Sequence, residues 1–291
     1  RVLEKLLVSG KMIIKPSLLW KEFALFSATQ FLGIWSAFKF LPFIKGTTAP
    51  IGLEFSVTEI IYLVIFAVVF FLLLKYFSKG ANIFIRIFLI TTVVAGAQIV
   101  FFSFLSENPA TLFAVILGVA FIFIKRVFVQ NIAMIFGIAG IGAIFGLSIT
   151  PITALIILLV LSFYDIVAVY WTKHMVKMAE GMIKTKNIFG LVIPEKAEGF
   201  MSSMERAEPG NGFMILGSGD LVMPILLSAS LVSVSLMSAF IIGLFSIGGM
   251  FLTHLLFVNQ KIRRPMAALP PIAAMAIMGY LVTIIFKIFN L

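Results

Sequence analysis

The stretch ILGSGDLVMP, residues 215–224, places the carboxylate of Asp220 inside a run of residues that is otherwise apolar. Gly217, Gly219 and Pro224 surround the acid, and both residue types weaken a helix. A charged side chain inside a bilayer costs about 3 kcal/mol even on lenient scales, so an acid in a membrane span indicates a function. Whether this stretch lies in a membrane is decided by the rest of the chain.

The composition is that of an integral membrane protein. The 291 residues are 62% hydrophobic, include 32 Phe and are only 12% charged, whereas a soluble domain is about half apolar and about a quarter charged. Apolar runs of about 20 residues recur along the chain, and each is long enough to cross the hydrocarbon core as a helix. The absence of cysteine excludes disulfides and cysteine-ligated metals. No cleavable signal peptide is expected, because the first 20 or so residues are polar and basic.

We predict an all-α integral membrane protein with a single polytopic membrane domain over residues 1–291. Nine transmembrane helices are predicted at residues 23–44, 55–77, 81–105, 108–124, 127–149, 152–172, 212–231, 234–258 and 265–289. The loop 173–211 between helices 6 and 7 is mostly polar. Its first half is predicted to be a basic amphipathic helix on the membrane surface, and its second half a flexible connector.

Lys and Arg are distributed unequally between the two sides of this topology. Of the 22 basic residues, 19 fall on the side of the N-terminus and the long loop. The positive-inside rule then places the N-terminus and the 173–211 loop in the cytoplasm and the C-terminus outside. The same distribution attributes the net charge of +10 to contact with membrane lipids. No soluble basic face that would bind nucleic acid is predicted.

Asp165 and Asp220 are the two aspartates of the chain, and both fall inside predicted spans. Asp165 lies eight residues before Lys173, and Asp220 lies eight residues after Gly212. At the helical rise, each is predicted to lie about 12 Å from the cytoplasmic edge of the bilayer. Two carboxyls a few ångström apart cannot both ionise, so such a pair shares one proton. The ionised member can take a proton from water while the protonated member polarises a carbonyl, which is aspartic-protease chemistry and needs no metal and no cofactor.

Three motifs carry a family resemblance. The motifs are Tyr164-Asp165, Gly217-Ser218-Gly219-Asp220 and Ala268-Leu269-Pro270. They resemble the YD, GxGD and PAL motifs of presenilins and signal peptide peptidases, and with the predicted topology the resemblance covers nearly the whole chain, most like a microbial presenilin homologue. One departure is Ala267, which stands where the family has Pro, and Pro271 follows the motif as a second source of rigidity.

The resemblance implies a presenilin-like bundle and an intramembrane aspartyl protease of the GxGD type. It implies that Asp165 and Asp220 are the catalytic pair and that the other motif residues shape the site and bind substrate. A cytoplasmic N-terminus is the presenilin orientation, whereas signal peptide peptidases are inverted. The implied substrates are therefore transmembrane helices with their N-termini outside, and a homo-oligomer is left open.

Other functions stay open on the residues alone. The acid pair could bind a cation or relay protons in a channel or transporter, where flexible helices also occur at the bilayer midplane. Ser218 with His254 could be argued as a serine protease site, although His254 is better interpreted as a polar contact between helices. A zinc protease is not predicted, because the sequence has no His-Glu-x-x-His motif. Glycines in two other spans predict close helix packing, at positions 142, 146, 243, 248 and 249.

Overall fold

The computed structural model describes residues 15–45, 78–185, 187–208, 212–260 and 265–288. Within these ranges the helices are α1 (Pro16–Lys45), α2 (Ser78–Phe102), α3 (Glu107–Phe123), α4 (Val127–Ser148), α5 (Pro151–Ile166), α6 (His174–Thr185), α7 (Ser218–Ser230), α8 (Leu236–Val258) and α9 (Leu269–Ile288). Two strands, β1 (Gly190–Pro194) and β2 (Phe213–Gly217), lie between α6 and α7.

Five helices of the described residues are long and apolar enough to cross a membrane. They are Ile83–Phe102, Val127–Ser148, Pro151–Trp171, Leu236–Val258 and Leu269–Ile288. The first and fourth predicted spans are also helical, as α1 and the 17-residue α3. A multi-pass membrane protein is therefore confirmed. The count of nine spans stays a prediction, since the second predicted span, residues 55–77, lies outside the described residues.

The prediction of one continuous helix over residues 212–231 is wrong. Residues 213–217 form strand β2, and the helix that follows, α7, has 13 residues. A short apolar run can be a strand or a helix, and its neighbours decide which. Here β1 supplies an antiparallel backbone partner, with the register running from Gly190 opposite Gly217 to Pro194 opposite Phe213. The fold is thus helical with one two-stranded sheet in the described residues.

Helix α4 covers the outer edge of β1. The side-chain amide of Asn131 donates to the carbonyl of Val192 and accepts from its N–H, and both distances are 2.7 Å. The neighbouring Gln130 donates from Nε2 to the carbonyl of Ile188 at 2.8 Å. At Val192, β1 therefore has a partner on the side away from β2. Among the described residues no strand pairs with the outer edge of β2, which we call its open edge.

The described part of the long loop is ordered by its contacts. Helix α6 occupies the place of the predicted amphipathic helix. The prediction of a flexible connector is wrong for residues 194–208, because two short 3₁₀ segments there pack against the start of α4. Backbone bonds join Met204 to Lys125 and Val127 to Ser202. The buried side chains of Val127, Val192 and Met204 form a small apolar cluster beneath them.

The start of α1 is tied to the same loop. Lys15 Nζ lies 3.1 Å from Glu195 Oε1. Lys21 donates from Nζ to the carbonyls of Pro194 and Glu195, at 3.0 and 2.7 Å. These contacts put the beginning of α1 and the loop on one side of the bundle, as the charge distribution requires.

Helix α7 lies in the interior of the bundle. It packs against α1, α4, α5, α8 and α9. Glycines allow the close approaches: a Cβ on Gly142 would lie 2.9 Å from Ile225 of α7, and one on Gly249 of α8 would lie 2.6 Å from the Cα of Ile272 in α9. The prediction that these glycines serve helix packing is confirmed.

Candidate active site

Asp165 lies at the carboxyl end of α5 and is almost completely buried, with 5% of its surface exposed. The helix continues beyond it as a π-helical turn, Val167–Trp171. The carboxylate accepts a hydrogen bond from the backbone N–H of Leu269, with 3.3 Å between the nitrogen and Oδ2. The structure thus joins the acid of the YD motif to the first residue of α9.

Asp220 is the third residue of α7 and is half-buried. Its carboxylate is turned back toward the backbone of Gly217, the residue that caps the helix. An acid at this position reaches back in the same way in a capping box. A Cβ at Gly217 would lie 3.2 Å from Asp220 Oδ2, so any larger residue there would crowd the carboxylate. Asp220 is preceded by a strand, so the helix-rise depth of about 12 Å does not apply to it.

The structure brings the two carboxyl groups together. Helices α5 and α7 are packed against each other, and the carboxyls of Asp165 and Asp220 are close enough to interact electrostatically. Among the described residues, a Cβ on Gly219 would meet no atom within 4 Å, so a side chain at this position would be unhindered by them.

Comparison with known proteins identifies the family. The model of the signal-peptide peptidase and presenilin aspartyl proteases matches residues 25–288. The chain belongs to this family. It is an aspartic endopeptidase of the intramembrane-cleaving kind.

Two solved structures of a presenilin family intramembrane aspartate protease have the same fold. In space groups C222 and P2 they match with TM-scores of 0.59 and 0.61, and both are 23% identical in sequence. In each case the match covers 91% of this chain and 96% of the other. The search of curated proteins gave no match.

The remaining motif residues of the protease differ in their burial and in their contacts with the acid pair. Leu269 is buried, and the Ala268–Leu269 peptide lies at Asp165. Pro270 follows in the first turn of α9, where a missing N–H costs nothing because those groups have no partner in the helix. Ser218 donates its backbone N–H to the carbonyl of Phe189 at 3.1 Å. Tyr164 is 45% exposed, and a role for it beside the acid pair stays a prediction.

Sequence reasoning missed two polar residues of α1. Gln30, 1% exposed, donates from Nε2 to the carbonyl of Leu221, the residue after Asp220, at 3.0 Å. Glu22 is fully buried and its Oε2 lies 2.9 Å from Nδ1 of His254, which is also fully buried. The interpretation of His254 as a polar helix contact is confirmed, and its partner is Glu22. A polar residue in or beside a predicted span was the available signal at both positions.

Metal ligation has no candidate in the part of the chain that the structure describes. No three or more His, Asp or Glu side chains come together within the described ranges.

Proposed function

We propose that this protease hydrolyses peptide bonds within the transmembrane helices of membrane proteins, with Asp165 and Asp220 as its catalytic pair. The observation that carries the proposal is the meeting of these two acids from adjacent helices. They are the two aspartates of the whole chain. A single one of these carboxylates would not make a protease, whereas a facing pair has the two protonation states that the reaction needs.

The reaction uses one shared proton. The ionised carboxylate takes a proton from water as the water oxygen bonds to the carbonyl carbon, and the protonated carboxyl gives its proton to the carbonyl oxygen. The gem-diol then gives a hydroxyl proton to the ionised carboxylate, the other carboxyl gives its proton to the amide nitrogen, and the C–N bond breaks. One water is consumed, an acid and an amine are formed, and the pair again holds one proton.

The sheet supports a place for the substrate backbone. Val192 and Ile215 are opposite each other in the register. Val192 directs its N–H and carbonyl at Asn131, away from β2. In an antiparallel pair, Ile215 then directs its own N–H and carbonyl away from β1, toward the open edge of β2. An unwound substrate segment can add there as a strand, which satisfies its backbone groups inside the membrane and leads it to Asp220.

The distribution of charge supports the orientation. With 19 of 22 basic residues on one side, the N-terminus and the 173–211 loop lie in the cytoplasm and the C-terminus lies outside. In this orientation the substrates are helices with an outside N-terminus. The cut then falls inside the bilayer, toward its cytoplasmic side.

The test is cleavage of a single-span helical substrate by purified protease in lipid vesicles, with the fragments identified by mass. We expect Asp165→Asn and Asp220→Asn each to lower kcat at least about a thousandfold, since neither acid can replace the other. Both variants should remain folded in thermal unfolding. Substantial cleavage by either single variant would contradict the assignment of the pair.

A matched control is Glu107→Gln. Glu107 also lies in the first turn of a helix, α3, but is exposed to solvent. The Glu107→Gln variant should cleave the substrate at the wild-type rate. A dipeptide-isostere transition-state analogue adds a second readout, because it binds a protease tightly and a cation or proton transporter not at all.

A further inference from the structure

One peptide group is held at both of its ends beside Asp165. The N–H of Leu269 donates to Asp165 Oδ2 at 3.3 Å, and the carbonyl of Ala268 accepts from the hydroxyl of Thr253 at 3.4 Å. These two groups belong to the same planar peptide unit, and in a trans peptide they point in opposite directions. Thr253 of α8 and Asp165 of α5 therefore make hydrogen bonds to opposite edges of one planar peptide unit.

The peptide lies where an irregular segment meets the start of α9. Residues 265–268 form no regular secondary structure, and α9 begins at Leu269. The next two residues are Pro270 and Pro271, which have no N–H. Leu269 thus carries the one backbone N–H among the first three residues of α9, and that N–H is given to Asp165. Its direction depends on how the Ala268–Leu269 plane is turned.

Thr253 is well fixed in the bundle. It is 1% exposed, and its hydroxyl also lies 3.0 Å from the carbonyl of Gly249, one turn earlier in α8. The hydroxyl hydrogen is shared between this carbonyl and that of Ala268, and the intrahelical contact holds the side-chain rotamer. Because Gly249 has no Cβ, α9 can approach α8 closely at this point.

The rotation of α8 about its axis is fixed by the next residue. His254 points about 100° away from Thr253 around the helix and is bonded to Glu22 of α1 at 2.9 Å. Both partners of this bond are fully buried. Turning α8 would separate them and leave two buried polar groups unpaired, which is strongly unfavourable. The direction of the Thr253 hydroxyl is therefore set in part by a contact that α8 makes with α1 on another face of the helix.

We propose that Thr253 is a positioning residue for Asp165, acting through the Ala268–Leu269 peptide. The inference rests on the proposed function, in which Asp165 is one of the catalytic pair. Without the hydroxyl, the peptide plane is free to turn, and the Leu269 N–H no longer points steadily at the carboxylate. Both the orientation of Asp165 and the balance between its charged and neutral forms then change.

The test compares Thr253→Val, which keeps the shape but has no hydroxyl, with Thr253→Ser, which keeps the hydroxyl. We expect Thr253→Val to lower kcat about five- to tenfold, which corresponds to the free energy of one hydrogen bond, and to leave KM nearly unchanged. The acidic limb of its pH profile should shift by about half a unit. Thr253→Ser should have the kcat and the pH profile of the wild type. Thr253→Ala also lacks the hydroxyl and should have the same kcat and pH profile as Thr253→Val. It supplies the measurement if Thr253→Val does not fold.

Thr283→Val is the matched control. Thr283 is a buried threonine of α9 whose hydroxyl is bonded to its own helix, at Tyr280, at 2.7 Å. Its variant should keep the wild-type kcat and pH profile. The inference is overturned if Thr253→Val and Thr253→Ala cleave like the wild type, or if Thr253→Ser loses as much activity as Thr253→Val does. Failure of the proposed function is distinguishable, because Asp165→Asn would then remain active.

Discussion

Asn131 and Val192 exchange two hydrogen bonds of 2.7 Å each, the pair of bonds that a neighbouring strand would make. A side-chain amide on α4 therefore closes the sheet on the β1 side. In the proposed function, an extended peptide adds to the other edge of the sheet, along strand β2, which leads directly into Asp220.

Replacing Asn131 with Leu should loosen β1. The change leaves the N–H and carbonyl of Val192 buried without partners, at a cost of about 1–3 kcal/mol for each group. We expect a lower unfolding temperature and faster hydrogen exchange at the Val192 amide. Gln98→Leu is the control, because Gln98 also makes a side-chain bond, to Thr111, but is exposed. Unchanged protection at Val192 in the Asn131 variant would contradict this account of the edge.

Substrate cleavage should depend on how easily the substrate helix unwinds. A helix must expose its backbone before it can add to β2 as a strand, so Gly near the cut should raise the rate and Leu or Ala should lower it. The measurement is a series of substrates that differ only at those positions, with cut sites mapped by mass spectrometry. Rates that ignore helix propensity, or cuts outside the membrane, would tell against the proposed geometry.

The pH profile of kcat/KM should be bell-shaped. On the acidic side both carboxyls hold a proton, and neither can accept one from water. On the alkaline side both are ionised, and neither can polarise the carbonyl. The two limbs belong to the pair, not to Asp165 or Asp220 individually. Measuring the profile for wild type and for Glu107→Gln should give the same curve, and a rate that climbs steadily into the alkaline range would indicate serine or metal chemistry.

Gly217→Ala should lower activity without unfolding the protein. The backbone of Gly217 has φ of −64°, which alanine adopts readily. The new Cβ would lie 3.2 Å from Asp220 Oδ2 and displace the carboxylate. We expect kcat to fall about tenfold or more, because small misplacements of a reacting group are costly. Gly181→Ala in α6, where a Cβ would meet no neighbour, should have no effect on kcat, and equal losses in both variants would refute the explanation.

The acid pair was predictable because placing an aspartate in an apolar span is unfavourable in free energy, so such a residue indicates a function. That cost identified Asp165 and Asp220, and the adjoining motifs identified the family. Strand β2 was not predictable by periodicity, since FMILG suits a strand or a helix equally well until β1 is known to lie beside it. Asn131 and Thr253 are polar residues inside predicted spans, but their partners could not be predicted, because these are backbone groups about 61 and 15 residues away in the chain.

The pairing of α1 has a consequence for biosynthesis. Glu22 and Gln30 find their partners 232 and 191 residues later in the chain, in α8 and α7. At about 5–20 residues per second of translation, those partners emerge on the order of 10–50 seconds after α1. Throughout that interval the first helix carries an acid and an amide whose bonding partners do not yet exist. The contacts that fix α1 in the bundle can form only when the last third of the chain has been made, and a chain that stops before residue 220 lacks the second acid of the pair.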